Sequence, residues 1–158
     1  MTTVIYAGSF DPFTYGHLDI VKSGSEIFEK LVIGVTYNID KKGFIPIEDR
    51  VELIKEAVKS IPNVEVTSFN GLTVDFAKEK NASVLLRGLR NTTDFEYEKE
   101  LAQVNEKLAG NIKTVFLMTK PEHSFVSSSA VRELYAYKSD LSEFVPKNIR
   151  KYLLEKES

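Results

Sequence analysis

The 158-residue chain contains no cysteine and only two histidines. Without a thiol there is no disulfide framework, thiolate zinc site or cysteine nucleophile, and two imidazoles are too few for a histidine-based metal cluster. Redox chemistry is therefore not expected. The chain also lacks a long apolar run and a basic leader: Met1-Thr2-Thr3 passes directly into an apolar strand. The expectation is neither export nor membrane insertion but a cytoplasmic protein. Nor is there a strong excess of one charge, since 28% charged residues leave a net charge of −2. That excludes a global field for holding nucleic acid or acidic lipid, although a few cations in one cleft can still hold a small polyanion. No repeat, low-complexity tract or linker interrupts the chain. One domain spanning 1–158 is expected, of a size that buries roughly 70% of the surface its unfolded form would expose.

What the sequence does contain is an alternation of short apolar runs and amphipathic stretches. Val4-Ile5-Tyr6-Ala7, Leu31 to Tyr37, Val64 to Phe69, Val84-Leu85-Leu86 and Val115-Phe116-Leu117-Met118 read as five strands. Each is nearly continuous in apolar residues, the pattern of strands covered on both faces, with helical crossovers between parallel neighbours. The helical segments repeat at 3.6 residues through Ile20, Gly24, Ile27 and Leu31, through Ile47, Val51, Ile54 and Val58, and through Tyr97, Leu101, Val104 and Leu108. Pro46 is a start signal for the second by its preset φ, Asp94 for the third as an N-cap, and Pro146 opens a last short helix. The fold class is α/β: a Rossmann-like, doubly wound, parallel five-stranded sheet with helices on both faces.

In such a sheet ligands bind beyond the carboxyl ends of the strands, so the loops there are where chemistry is sought. After the first strand, Gly8 permits close backbone approach, Ser9 offers a hydroxyl, and Gly16-His17 opens an amphipathic helix whose N-terminus favours an anion. Taken alone, His17 reads as an ordinary first-turn residue. Arg87-Gly88-Leu89-Arg90 follows the fourth strand and His123 to Ser129 the fifth.

Thr14-Tyr15-Gly16-His17 resembles the T/H-x-G-H motif of the nucleotidyltransferase superfamily, and Ser127-Ser128-Ser129-Ala130-Val131-Arg132 its second, serine-rich motif. With Gly8-Ser9-Phe10-Asp11-Pro12, Leu86 to Arg90, Asp94-Phe95-Glu96-Tyr97-Glu98 and Ser124-Phe125-Val126-Ser127, the chain resembles the bacterial phosphopantetheine adenylyltransferases over nearly its whole length. The resemblance implies transfer of the adenylyl group of ATP to 4′-phosphopantetheine, giving dephospho-coenzyme A and pyrophosphate. It implies an ATP site at Ser9, Phe10, His17, Gly88, Leu89, Arg90, Glu98, His123, Ser124, Phe125, Val126, Ser127, Ser128 and Ser129. The phosphopantetheine site falls at Ser9, Lys41, Thr73 and Arg87, with His17, Lys41 and Arg90 catalytic. A homohexamer inhibited by coenzyme A is also implied. The chain departs from the family pattern at Ile39, where proline is common, at Ile45, where an aromatic is expected, and at His123, where an aromatic is frequent. The active lysine is Lys41 or, one position on, Lys42.

The residues fit this chemistry on their own terms. A phosphomonoester loses its second proton near pH 6, so the attacking oxygen is already anionic and needs no general base. No Ser/His/Asp or Cys/His set stands out, whereas His17, Lys41, Arg87 and Arg90 read as converging cationic groups that align two anions and spread the charge growing on the α-phosphate. Three serines at a helix start can cap it and offer donors to the outer phosphates. Glu98 orients ribose or an arginine, or is simply solvated. Mg²⁺ is expected through the ATP phosphates and water, with no protein ligand. The competing readings are an adenylyl- or cytidylyltransferase for nicotinate mononucleotide or glycerol phosphate, and a nucleotide-binding module without catalysis.

Overall fold

The structure is a computed structural model that describes residues 2–157, so Met1 and Ser158 lie outside the described residues. In chain order the elements are β1 (Thr3–Gly8), α1 (Tyr15–Ile27), β2 (Lys30–Thr36), α2 (Ile47–Ala57), β3 (Val64–Phe69), α3 (Thr73–Glu79), β4 (Val84–Leu89), α4 (Thr92–Leu108), β5 (Lys113–Met118), α5 (Ser128–Ala136) and α6 (Lys147–Glu157). A 3-10 turn at Pro121–His123 precedes α5. The strands form one sheet in the order β3-β2-β1-β4-β5 with every pairing parallel. The near-continuous apolar runs have their physical cause here, because helices bury both faces. Val4, Tyr6 and Leu86 pack with Ile20 and Val21 of α1, Ile54 of α2, Val131 of α5 and Leu153 of α6. On the opposite face Ile5, Ala7 and Leu85 pack with Val74, Phe76 and Ala77 of α3 and with Ile112. Each fully buried aliphatic side chain contributes about 1.5–3 kcal/mol, so these two layers hold the frame more than any surface ion pair does.

Three local expectations are corrected. Leu31 is not the last turn of α1: that helix closes with Phe28 N donating to Gly24 O at 2.9 Å, and Leu31 is the second residue of β2. Gly24 has a packing reason, since a Cβ there would stand 2.8 Å from methyl carbons of both Leu31 and Leu86. Asn91, not Asp94, caps α4; its Oδ1 accepts from Asp94 N at 2.9 Å, and Asp94 turns back toward Arg90. The apolar stripe of α4 is not covered by the sheet. Tyr97 and Val104 are 65% and 55% exposed, and Glu98 is the buried residue of that helix. β5 is an edge strand, so α4 has little sheet to cover.

Strand order reverses direction between β1 and β4: β2 and β3 extend to one side of β1, and β4 and β5 to the other. The loops leaving β1 and β4 therefore part from each other and open a crevice at their carboxyl ends.

Candidate active site

A cavity of about 390 Å³ occupies that crevice. Its floor is the end of β1 and β4, including Tyr6, Gly8 and Gly88; its walls come from the start of α1, the turn after β4, and the start of α5. Gly88 is required there because a Cβ would come within 2.7 Å of Ile20. Phe10 is held at φ +46°, a left-handed conformation uncommon for a bulky residue, and its ring covers the Gly8 side of the floor.

The Thr-Tyr-Gly-His spacing is a helix cap that also sets a tautomer. Thr14 is the N-cap of α1, its hydroxyl accepting from His17 N at 3.3 Å, while Thr14 N donates back to His17 Nδ1 at 2.9 Å. Because Nδ1 accepts a backbone N–H, the ring proton lies on Nε2, which stays available to a ligand. Burial, with Arg87 and Arg90 nearby, pushes the imidazole down from its ordinary value to about 3. His17 is therefore a neutral donor in the free protein, which corrects its expectation as one of four cationic groups.

Two further braces hold the first loop. Asp11 accepts from Phe44 N at 2.7 Å and Ile45 N at 2.8 Å. The buried Arg50 donates to Ser9 O and to Ile45 O, each at 2.8 Å. Both residues tie the turn after β1 to the segment after β2, a structural task invisible in the sequence because the partners are distant in chain.

Two of the cavity arginines, Arg87 and Arg90, are already aimed by a carboxylate. Arg87 meets Glu98 twice, Nε to Oε2 at 2.6 Å and Nη2 to Oε1 at 2.8 Å, and Nη1 reaches Ala7 O at 2.6 Å. Burial works against its charge, but the Glu98 contacts outweigh it and the guanidinium is held above its usual value. Arg90 makes the corresponding fork to Asp94, at 3.0 and 3.1 Å, with Nη1 at 3.4 Å from Val126 O. Burial raises the Asp94 carboxyl, yet hydrogen bonds from Arg90 win and hold it below the usual carboxylate range. Of the five donors on a guanidinium, these contacts leave two on each arginine for a ligand.

Ser127 caps α5, its Oγ accepting from Ala130 N at 3.1 Å. Ser128 Oγ donates to Pro12 O at 2.8 Å, and Ser129 Oγ lies 3.3 Å from Ser127 Oγ. All three still line the cavity. So do Ser9, Phe10, His17, Arg87, Gly88, Arg90, Glu98 and Val126.

Several expected site residues stand elsewhere. Leu89 offers its carbonyl to Thr119 N at 3.0 Å, behind the wall. Ser124 and Phe125 lie outside the lining, as does His123, which stacks on Tyr15 at 5.4 Å and hydrogen-bonds Asp19 Oδ2 through Nδ1 at 2.6 Å. Lys41 is exposed on the turn after β2, and Thr73 opens α3 after β3, both beyond the cavity wall. Conversely, Tyr6, Thr14, Asp94, Thr119 and Arg132 line the cavity without having been expected as ligand-facing. Arg132 was visible as the sixth residue of the serine motif; its Nη1 donates to Asp11 O at 2.7 Å, which leaves other donors free. No group of three or more His, Cys, Asp or Glu side chains able to hold a metal occurs among the described residues. No helix among them is long and apolar enough to cross a membrane.

Residues 5–134 match the model of the cytidylyltransferase-like family. A phosphopantetheine adenylyltransferase of Clostridium botulinum (strain Eklund 17B / Type B) is 52% identical over 149 residues, covering 94% of each chain. One of Caldanaerobacter subterraneus subsp. tengcongensis is 49% identical over 156 residues, covering 99% of this chain and 98% of its own. A solved structure from Vibrio parahaemolyticus, assigned as a nicotinate-nucleotide adenylyltransferase, superposes with a TM-score of 0.72 at 16% identity, covering 99% of this chain and 94% of the other. At that identity the likeness speaks for the fold.

Proposed function

The chain belongs to the cytidylyltransferase-like family and, within it, to the phosphopantetheine adenylyltransferases, and from that membership we propose how its cavity performs the reaction. The reaction transfers the adenylyl group of ATP to 4′-phosphopantetheine, giving dephospho-coenzyme A and pyrophosphate in coenzyme A biosynthesis. The observation that carries the mechanism is the convergence of a neutral, tautomer-locked His17 with Arg87, Arg90 and the Ser127–Ser129 helix start around one crevice.

The acceptor phosphate is its own nucleophile, so no side chain need take a proton. His17, with its acidity shifted far from neutrality, is poorly suited to act as a base and well suited to donate Nε2–H to the α-phosphate as charge gathers there. Arg90, on the side of the cavity facing Val126, holds the outer phosphates with Ser127, Ser128, Ser129 and the N-terminus of α5. Arg87 reaches from the opposite face of the sheet, where Glu98 orients it, and holds the acceptor phosphate. The two phosphates thus approach from different sides, which favours in-line displacement without a covalent enzyme intermediate. Arg132 adds a further cation beside the leaving phosphates.

Lys41 completes the set if the exposed turn after β2 folds over the bound substrates, bridging the incoming phosphate and the α-phosphate. Thr73, at the start of α3, meets the pantetheine arm, and Ser9 touches both substrates. Leu89, His123, Ser124 and Phe125 border the nucleotide from behind the wall. Both acidic groups of the cavity, Asp94 and Glu98, are engaged by arginines, so a Mg²⁺ ion would be held by the ATP phosphates and water and not by protein carboxylates. When bound it neutralises charge on the departing pyrophosphate.

The chain works as one nucleotidyltransferase domain in the cytoplasm. Coenzyme A, which contains both halves of the product, inhibits by competing for the same crevice. The exposed apolar stripe of α4 beside the β5 edge supports assembly into a homohexamer. The test is pyrophosphate release from ATP with purified protein and candidate acceptors. Turnover with 4′-phosphopantetheine, and recovery of ATP from dephospho-coenzyme A plus pyrophosphate, are expected. Comparable turnover with nicotinate mononucleotide and none with phosphopantetheine would defeat the assignment.

A further inference from the structure

Tyr6 is the third residue from the carboxyl end of β1 and reads in the sequence as one more core residue of an apolar strand. Its ring behaves as one: it is 5% exposed, packs edge-on against Phe10 at 5.1 Å, and belongs to the layer containing Ile20 and Leu86. Its hydroxyl does not. The hydroxyl has no hydrogen-bond partner in the protein among the described residues, yet it is not a sealed unsatisfied atom. The residue lines the cavity, and the oxygen lies 3.8 Å from the position a Cβ would take on Gly88. It therefore stands at the cavity floor beside Gly88, next to Ile20, whose Cγ1 lies 2.7 Å from the same position. The His17 ring is on the same side, 6.5 Å away between centroids.

The hydroxyl opens to the cavity and makes no bond within the protein, so it contributes nothing to the fold that a phenylalanine would lack. Burial raises the hydroxyl well above its ordinary ionisation range, with Arg87 opposing, so it is protonated throughout the neutral range and can donate. Alternation along β1 and β4 places Tyr6, Gly8, Leu86 and Gly88 toward α1, the His17 side, while Arg87 points toward α4 and Glu98.

Given the adenylyl-transfer reading above, on which this inference rests, we infer that the Tyr6 hydroxyl is a nucleotide-binding donor that hydrogen-bonds a ribose or α-phosphate oxygen of ATP over Gly88. It is a substrate contact on the nucleotide side and not on the pantetheine side.

Tyr6→Phe removes the oxygen and keeps the ring. ATP affinity, measured by calorimetric titration without acceptor, should fall about 2- to 12-fold if the lost partner is a ribose oxygen and about 12- to 150-fold if it is a phosphate oxygen. Phosphopantetheine affinity should be unchanged, and the thermal midpoint unchanged or higher, because the removed hydroxyl had no partner in the free protein. Titrations with 2′-deoxy- and 3′-deoxy-ATP locate the contact. If the acceptor is a ribose hydroxyl, the variant shows no further loss with the nucleotide lacking it; if it is a phosphate oxygen, the same factor appears with all three. Equal ATP affinity in the two proteins would overturn the inference, as would a loss confined to phosphopantetheine or a fall in both affinities with a lowered midpoint. Wild-type protein that binds ATP but releases no pyrophosphate with phosphopantetheine would instead overturn the functional reading, while the ATP titrations still decide the role of Tyr6.

Discussion

His17→Asn separates what the imidazole does for the helix from what it does for the reaction. The asparagine Oδ1 occupies nearly the place of Nδ1, so it can still accept from Thr14 N, the contact that measures 2.9 Å in the native cap. What disappears is the far donor, Nε2–H. One preorganised donor to a developing oxyanion is worth roughly 2.7–4 kcal/mol, so turnover should drop about 10²- to 10³-fold with ATP binding largely kept. Stability should fall by only about 1–2 kcal/mol, from loss of the ring that stands edge-on to Phe10 at 4.9 Å and stacks on Phe13 at 5.6 Å. His17→Ala, which also opens the cap, should lose about 1 kcal/mol more. Acid behaviour adds a second reading. Because the folded imidazole sits near 3 and the unfolded one near 6.5, the unfolded state binds the extra proton between those values. Stability due to the neutral ring is therefore complete above about pH 6.5 and is lost as pH falls toward 3, and His17→Asn should lack that part of the acid decline. Single-turnover adenylyl transfer, ATP titration and urea melts from pH 4 to 8 supply the measurements. Near-normal turnover in His17→Asn would refute the donor role. A kcat/KM limb centred near pH 6.5 that vanishes in the variant would refute the neutral state, since that ratio reports ionisations of the free enzyme.

Three more outcomes follow from the geometry. Arg87→Ala should chiefly weaken phosphopantetheine and Arg90→Ala chiefly ATP or turnover, each by about 2–3 kcal/mol, with lysine rescuing neither fully because both arginines are bidentate forks; titrations showing equal losses for both ligands in both variants would remove the division. His123→Phe keeps the stack on Tyr15 but removes the Nδ1 bond to Asp19, so the turn before α5 should loosen, with a melting loss of about 1–2 kcal/mol and a higher KM for ATP; an unchanged KM would count against that turn shaping the site. Gly24→Ala forces a Cβ to 2.8 Å from Leu31 and Leu86 methyls, and should cost about 1–3 kcal/mol in urea unfolding despite the better helix propensity of Ala, with activity per folded molecule retained; a stabilised variant would show that the layer relaxes freely.

The sequence by itself determined the kind of fold and the edge of the sheet at which the cavity lies. Runs such as Leu31 to Val35 alternate with nothing polar, and only burial on both faces tolerates that, so a parallel sheet with helices on two sides follows from local composition. Gly8, the Thr14–His17 spacing and the Ser127 cap were legible because each is a short-range device whose partner lies within a few residues. The tertiary structure alone decided matters that depend on partners far away in chain. Asp19 and His123 stand 104 residues apart and meet at 2.6 Å, a clasp for the last loop that no local pattern announces. Glu98 could have been solvated, but packing buries it against Arg87 and makes it the guide of that guanidinium. The α4 stripe shows the converse: its 3.6-residue period is a true property of the helix, but which surface a periodic face meets is set by strand order, and placing β5 at the edge left Tyr97 and Val104 uncovered. Tyr6 carries the same lesson at one residue, since its place in an apolar run predicts where the ring goes, while the opening of the sheet between β1 and β4 decides what its hydroxyl faces.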